Sequence, residues 1–158
     1  MLKVTLAFVL IVSFAEIGAA DDIPRDLDFA PAGVISGIAD ARDGDDVVFG
    51  RVAVRLRGIA APEDRRGLVE PGGPEATAHL RSLVGGREVI CHLDGTQTRN
   101  RPVGVCYVDG INVNRAQVEA GHARDCPRFS GGAYAEAEAR ARRAGRDLSA
   151  IYPLPGYC

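Results

Sequence analysis

Short runs of this chain alternate apolar and polar residues with a period of two, and three other runs repeat near 3.6. Residues 52–57 set Val52, Val54 and Leu56 on one face and Ala53, Arg55 and Arg57 on the other. That is a half-buried strand whose arginines face away from the core. Residues 33–38 and 46–49 are strand-like and flank the turn signal Asp43-Gly44-Asp45, while Gly50-Arg51 separates the second from residues 52–57. Three strands joined by short turns follow. Over 74–84 a stripe of Ala76, Leu80, Leu83 and Val84 behind Pro74 predicts a helix that ends at Gly85-Gly86. Residues 88–93 and 103–108 flank a polar loop and predict an antiparallel hairpin. Asn112 caps a predicted helix reaching Ala120, and a last helix over 134–144 pairs Glu136 with Arg140 and Glu138 with Arg142 at i,i+4. Five strands with a helix after the third and two helices at the end predict an α+β domain, mainly β. An OB-type barrel of five strands with three packed helices is the natural architecture.

The start of the chain changes where that domain begins. Met1-Leu2-Lys3, an apolar run over 4–15 and Gly18-Ala19-Ala20 before Asp21-Asp22 follow the order of a secretory signal peptide. The run is shorter than the roughly 20 residues a membrane helix needs. The expected organisation is a signal over 1–20, a polar lead-in over 21–32 and one domain over 33–158, located in the periplasm or secreted, with no stable membrane span once the signal is removed. The four cysteines, Cys91, Cys106, Cys126 and Cys158, all lie beyond the signal, and an even number in an oxidising compartment reads as two disulfides. Four cysteines allow three pairings. A hairpin turning about residues 97–101 sets Cys91 opposite Cys106, which would leave Cys126 with Cys158.

Charge narrows the function classes. The formal net charge is -2 and the only lysine is Lys3, so no general basic field draws in nucleic acid. Any nucleic-acid chemistry has to come from a local site. The three histidines, His79, His92 and His122, share no ligand spacing.

Four segments carry such a site. They are Asp43-Gly44-Asp45-Asp46-Val47, the run from Val54-Arg55-Leu56 to Ala60-Ala61-Pro62-Glu63, Pro71-Gly72-Gly73-Pro74-Glu75-Ala76, and Asn100-Arg101-Pro102-Val103-Gly104. In this order and spacing the chain resembles the staphylococcal nuclease family, over essentially residues 33–121. Pro-Arg-Phe-Ser-Gly-Gly at 127–132 and the closing Pro-Gly-Tyr-Cys resemble a secreted bacterial branch of it. The resemblance implies hydrolysis of phosphodiester bonds of DNA and RNA on an OB-fold, with calcium as cofactor. By matched position it implies Arg55 and Arg101 as the two catalytic arginines, Glu63 as the glutamate near the attacking water and Asp45 as a calcium ligand. Ala60 stands where the family has a second calcium aspartate, and Asp46, in place of a usual threonine, offers a substitute oxygen.

Elementary chemistry agrees with those roles. Two guanidinium groups meet the charge that builds on the nonbridging oxygens of a phosphodiester under attack, and a carboxylate orders or deprotonates water. Taken singly, Arg55 is surface charge, Glu63 a solvated loop charge and Arg101 a hairpin-tip residue; their joint occurrence is what points to chemistry. A second expectation comes from the same branch, whose members are associated with exopolysaccharide production, including succinoglycan synthesis. It is a noncatalytic or repurposed envelope protein with a polysaccharide or envelope partner, since OB-folds also bind oligosaccharides. No tryptophan is present to form a sugar platform.

Overall fold

The computed structural model describes residues 23–158. The signal expected over 1–20 lies outside the described residues. The strands are β1 (Gly33–Ile38), β2 (Asp40–Asp43), β3 (Asp46–Phe49), β4 (Val52–Leu56), β5 (Ile59–Ala60), β6 (Asp64–Arg65), β7 (Leu68–Val69), β8 (Glu88–Thr98), β9 (Arg101–Val108), β10 (Ile111–Asn112) and β11 (Arg124–Asp125). The helices are α1 (Gly73–Val84), α2 (Val113–Glu119), α3 (Pro127–Ser130) and α4 (Ala135–Arg143), with a 3-10 turn at Leu148–Ala150.

The domain is mixed α+β, with strands predominating. One sheet runs β1-β8-β9-β4-β3-β2, with β10 added on β9, and β5 with β11 and β6 with β7 make two small ribbons. The ladder is open: β1 and β2 lie at its two ends. Hydrogen bonds therefore do not close the five-stranded barrel expected from the strand count. Nor does the strand at 33–38 make the hairpin across Asp43-Gly44-Asp45. That partner is β2, with Ala41 opposite Val47, whereas β1 pairs with β8. The apolar alternation of β1 makes it a strand without specifying its neighbour. Three of the four helices are the expected ones, and α3 is additional.

The core lies between the sheet and α1 and α2. Val47, Val54 and Leu56 from the strands, Ala76, Leu80 and Val84 from α1, and Val113 and Val118 from α2 are buried together. Burial of these side chains drives folding at about 25 cal/mol per Å² of apolar surface. In the hairpin, Cys91 and Cys106 are register partners and are bridged, and a second bridge joins Cys126 to Cys158. The turn is tighter than the polar loop promised: β8 continues to Thr98, and Arg99 and Asn100 take positive φ, 49° and 62°. That places Arg101 at the first position of β9.

Two segments that read as loose or solvated are fixed. In the lead-in, Asp26 accepts from the Tyr107 hydroxyl at 2.9 Å, Asn112 Nδ2 at 2.8 Å and Arg115 Nη1 at 2.9 Å. On α4, Glu138 accepts from Arg142 as the i,i+4 spacing predicts, but also from Arg124 Nε at 2.9 Å and the Asp125 amide at 3.2 Å, which docks α4 on β11. Arg140 turns to Glu119 of α2 at 2.8 Å rather than chiefly to Glu136.

Candidate active site

The turn between β2 and β3 presents three carboxylates, and two of them meet arginines singled out from the sequence. Asp45 forms an ion pair with Arg55. Arg101 Nη1 donates to both Asp46 oxygens, at 2.8 and 2.7 Å. The Asp43 carboxylate accepts from the amide of Asp64 at 3.1 Å, which holds it beside the Glu63 loop. Strand register explains the convergence. Arg55 of β4 stands opposite Asp46 on one side and Val103 of β9 on the other, two residues after Arg101.

Arg55 is on the face of β4 opposite Val54 and Leu56, as the alternation requires, but it is not surface charge. Its side chain is 16% exposed, and its Nη2 leans on the carbonyl of Ile59 in β5 at 3.5 Å. Burial works against its charge, yet Asp45, then Tyr157, Asp46 and Glu63, hold the guanidinium above its ordinary pKa. Burial pushes the Asp45 carboxyl the other way, up to about 7, against the pull of Arg55 and with the help of Asp46. Glu63 is also raised, by partial burial first and by the neighbouring Asp43 next, with Arg65 and Arg55 pulling back. A carboxylate so raised is a better proton acceptor than one free in water.

Glycines bring α1 against these groups. A Cβ on Gly73 would stand 2.2 Å from the Glu63 carbonyl oxygen, and one on Gly44 would stand 2.7 Å from the Ala76 Cβ. The loop carrying Glu63 is further tied by Glu70, whose carboxylate accepts from the Glu63 amide at 2.9 Å while its own amide donates to the Glu63 carbonyl at 2.9 Å. Gln117 of α2 splints the turn to the helix: its Nε2 donates to the Gly44 carbonyl at 2.8 Å and to Ala76 at 2.9 Å.

The side chains do not fit the calcium site that the resemblance implies. Calcium takes six to eight oxygens. Both Asp46 oxygens serve Arg101, and Arg42 adds a further contact at 2.8 Å. Asp45 serves Arg55 and the Ala61 amide, and Asp43 accepts from the Gly44 and Asp64 amides. Ala60, fully buried, supplies no oxygen from its side chain. Among the described residues, no group of three or more histidine, cysteine or acidic side chains is arranged to hold a metal.

One member of the acidic turn is missing from the sequence reading as a site residue: Asp43, whose signal is that it belongs to the same turn motif as Asp45.

An α+β domain in which one acidic turn gathers two arginines near a glutamate is the class of fold and site present here. The model of that class described as staphylococcal nuclease homologue matches residues 53–148, and the chain belongs to this family. It is similar to the succinoglycan biosynthesis protein ExoI of Rhizobium meliloti (strain 1021), with 32% identity over 134 residues, covering 80% of this chain and 70% of the relative. It is also similar to the probable staphylococcal-like nuclease CAN2 of Oryza sativa subsp. japonica, with 30% identity over 105 residues, or 66% of this chain. The match spans only 26% of that rice protein. No helix of the described residues is long and apolar enough to cross a membrane.

Proposed function

We propose that this protein hydrolyses phosphodiester bonds of DNA or RNA at the Arg55, Glu63 and Arg101 cluster, after export to the periplasm or the medium. The observation that carries the reading is the pairing of Asp45 with Arg55 and of Asp46 with Arg101 in one turn, whose Asp43 holds the Asp64 amide next to Glu63. The ion pairs hold both guanidinium groups in place before substrate arrives, and an incoming phosphodiester takes over the donors not used by aspartate. Preorganised charge of this kind lowers the barrier as negative charge grows on the phosphoryl oxygens. Glu63 accepts the proton of the attacking water, the phosphorus–oxygen ester bond breaks, and the departing oxygen is protonated from solvent. Calcium, in this reading, has to displace an arginine from Asp45 or Asp46 before it can assist, so no step is assigned to it. The accompanying fold reading is an OB-type barrel of β1, β3, β4, β8 and β9, supported by Gly37 of β1 lying against the Phe49 ring of β3.

The test is digestion of single-stranded DNA and of RNA by the purified chain lacking residues 1–20, with and without calcium. Arg55→Ala and Glu63→Ala should each lower kcat by a factor on the order of 10²–10³. Cleavage unchanged in both variants sinks the assignment.

A second reading is favoured by the same ion pairs. If Asp45 and Asp46 keep Arg55 and Arg101 neutralised in the presence of substrate, the domain is an envelope protein serving exopolysaccharide synthesis, as the name of the Rhizobium relative indicates for that protein. It predicts no cleavage under any calcium concentration.

A further inference from the structure

Among the described residues the Glu63 carboxylate has one ion-pair partner, and it is neither of the two arginines gathered by the acidic turn. Arg65 Nε stands 3.0 Å from Glu63 Oε2. Arg65 lies two positions after Glu63, in β6, the spacing at which side chains of an extended segment fall on one side. β6 pairs with β7, Asp64 opposite Val69 and Arg65 opposite Leu68, which leaves Arg66 and Gly67 as a two-residue turn. Gly67 takes φ 84°, a left-handed conformation that glycine adopts without strain.

The base of this ribbon is tied to both neighbours of the site. The Asp64 amide donates to Asp43 of the acidic turn at 3.1 Å, and the Gly73 amide at the start of α1 donates to the Glu70 carbonyl at 2.9 Å. Between those ties, the Glu63 amide donates to the Glu70 carboxylate and the Glu70 amide to the Glu63 carbonyl, both at 2.9 Å. The backbone that carries the ion pair is thus fixed, and what remains to be set is the direction of the Glu63 carboxylate. Asp43, held beside the Glu63 loop, repels it. Arg65 supplies the opposing charge. Arg55 and Arg101 are committed to Asp45 and Asp46, whereas Arg65 meets no acidic side chain other than Glu63 among the described residues. Its side chain is 47% exposed. An exposed pair of this kind adds little to stability, so its effect falls on the carboxylate.

The geometry points to Arg65 as a positioning residue for the reaction, its guanidinium holding the Glu63 carboxylate in place to accept the proton of the attacking water. This rests on the nuclease reading and adds a third arginine, which acts on the base while Arg55 and Arg101 meet the phosphodiester. Arg65 also pulls the Glu63 carboxyl down against burial and Asp43. Its loss therefore raises the pH at which Glu63 becomes able to accept a proton.

The experiment follows kcat and KM for cleavage of single-stranded DNA from acid to neutral pH in the parent, Arg65→Gln, Arg65→Lys and Arg66→Gln, each assayed below its own melting temperature. Arg65→Gln should lower kcat by roughly ten- to a hundredfold with KM little changed. The acid limb of its kcat profile should move to higher pH. Arg65→Lys should return the limb to its parental place and recover most of kcat, and Arg66→Gln, which removes the same charge from the exposed turn, should match the parent. A raised KM with unchanged kcat and an unmoved limb in Arg65→Gln overturns positioning and makes Arg65 a substrate contact. Equal losses in Arg65→Gln and Arg66→Gln overturn it in favour of a general charge effect. Parental turnover in Arg65→Gln, with Glu63→Ala inactive, sinks this inference and leaves the nuclease reading standing. A parent that cleaves nothing removes both.

Discussion

Arg101 reaches back from the tip of the β8–β9 hairpin to grip both oxygens of Asp46, 55 positions earlier in the chain. The pair is a structural clamp, because Asp46 is only 2% exposed. Removing one member of a buried pair leaves the other without a counter-charge. Asp46→Asn should therefore cost about 3 kcal/mol in denaturant unfolding. The double variant Asp46→Asn with Arg101→Gln should cost less than the sum of the two single changes. Additive losses would show that the two groups do not stabilise one another.

Asp45 gives a pH prediction. Its folded-state pKa is raised from 3.8 to about 7 by burial. Between those values the folded chain binds more protons than the unfolded chain, so the contribution of Asp45 to stability falls as pH rises, by at most about 1.4 kcal/mol per pH unit. Comparing urea midpoints of the parent and Asp45→Asn from pH 4 to pH 8, the parent should lose stability relative to the variant across this window. A difference that grows in the opposite direction would mean that the Arg55 ion pair outweighs desolvation.

The hairpin was legible because two local signals agree there: period-two runs on both sides and a polar loop between them. Counted from the Arg99–Asn100 turn alone, Cys91 would face Val108; a register shift between Leu93 and Gln97 moves the pairing so that Cys91 faces Cys106, and that shift has no signal in the period-two pattern. The partner of β1 was not legible. Residues 33–38 alternate well enough for a strand, but pairing with β8 joins residues about fifty to sixty positions apart, from Ile38 with Glu88 to Gly33 with Leu93, and is chosen by the whole core. At the candidate site, motif order singles out Arg55, Glu63 and Arg101 together with Asp45 and Asp46, but not the ion pairs among them, since a run of acids in a turn looks solvated until strand pairing buries it. Asp45 and Asp46 were read as metal oxygens, whereas the structure gives their carboxylates to arginines.

Ala60 offers a direct test of the metal question. It is fully buried and adjoins Ala61, whose amide already serves Asp45. Ala60→Asp should lower the melting temperature in EDTA, because an unpaired carboxylate is placed in the interior next to Asp45. Calcium should restore it. Calorimetric titration should show tighter calcium binding in the variant than in the parent, and a melting temperature indifferent to calcium would remove the positional match between Ala60 and a ligand.

Gly73 links fold to chemistry at the start of α1. A methyl group there collides with the Glu63 carbonyl oxygen, which the Glu70 amide also uses. Gly73→Ala should destabilise by about 1–3 kcal/mol, the range for forcing atoms into a filled space. If Glu63 is the base, kcat should fall at temperatures where the variant remains folded, with KM little changed. Unaltered turnover at reduced stability would separate the helix start from the reaction.

Gln117 sets how the acidic turn moves. One carboxamide nitrogen spends its hydrogens on the carbonyls of Gly44 and Ala76, while its oxygen meets His79 Nδ1. The turn consequently travels with α1 as a single body, and the spread of positions available to Asp43, Asp45 and Asp46 is that of a helix rather than of a loop.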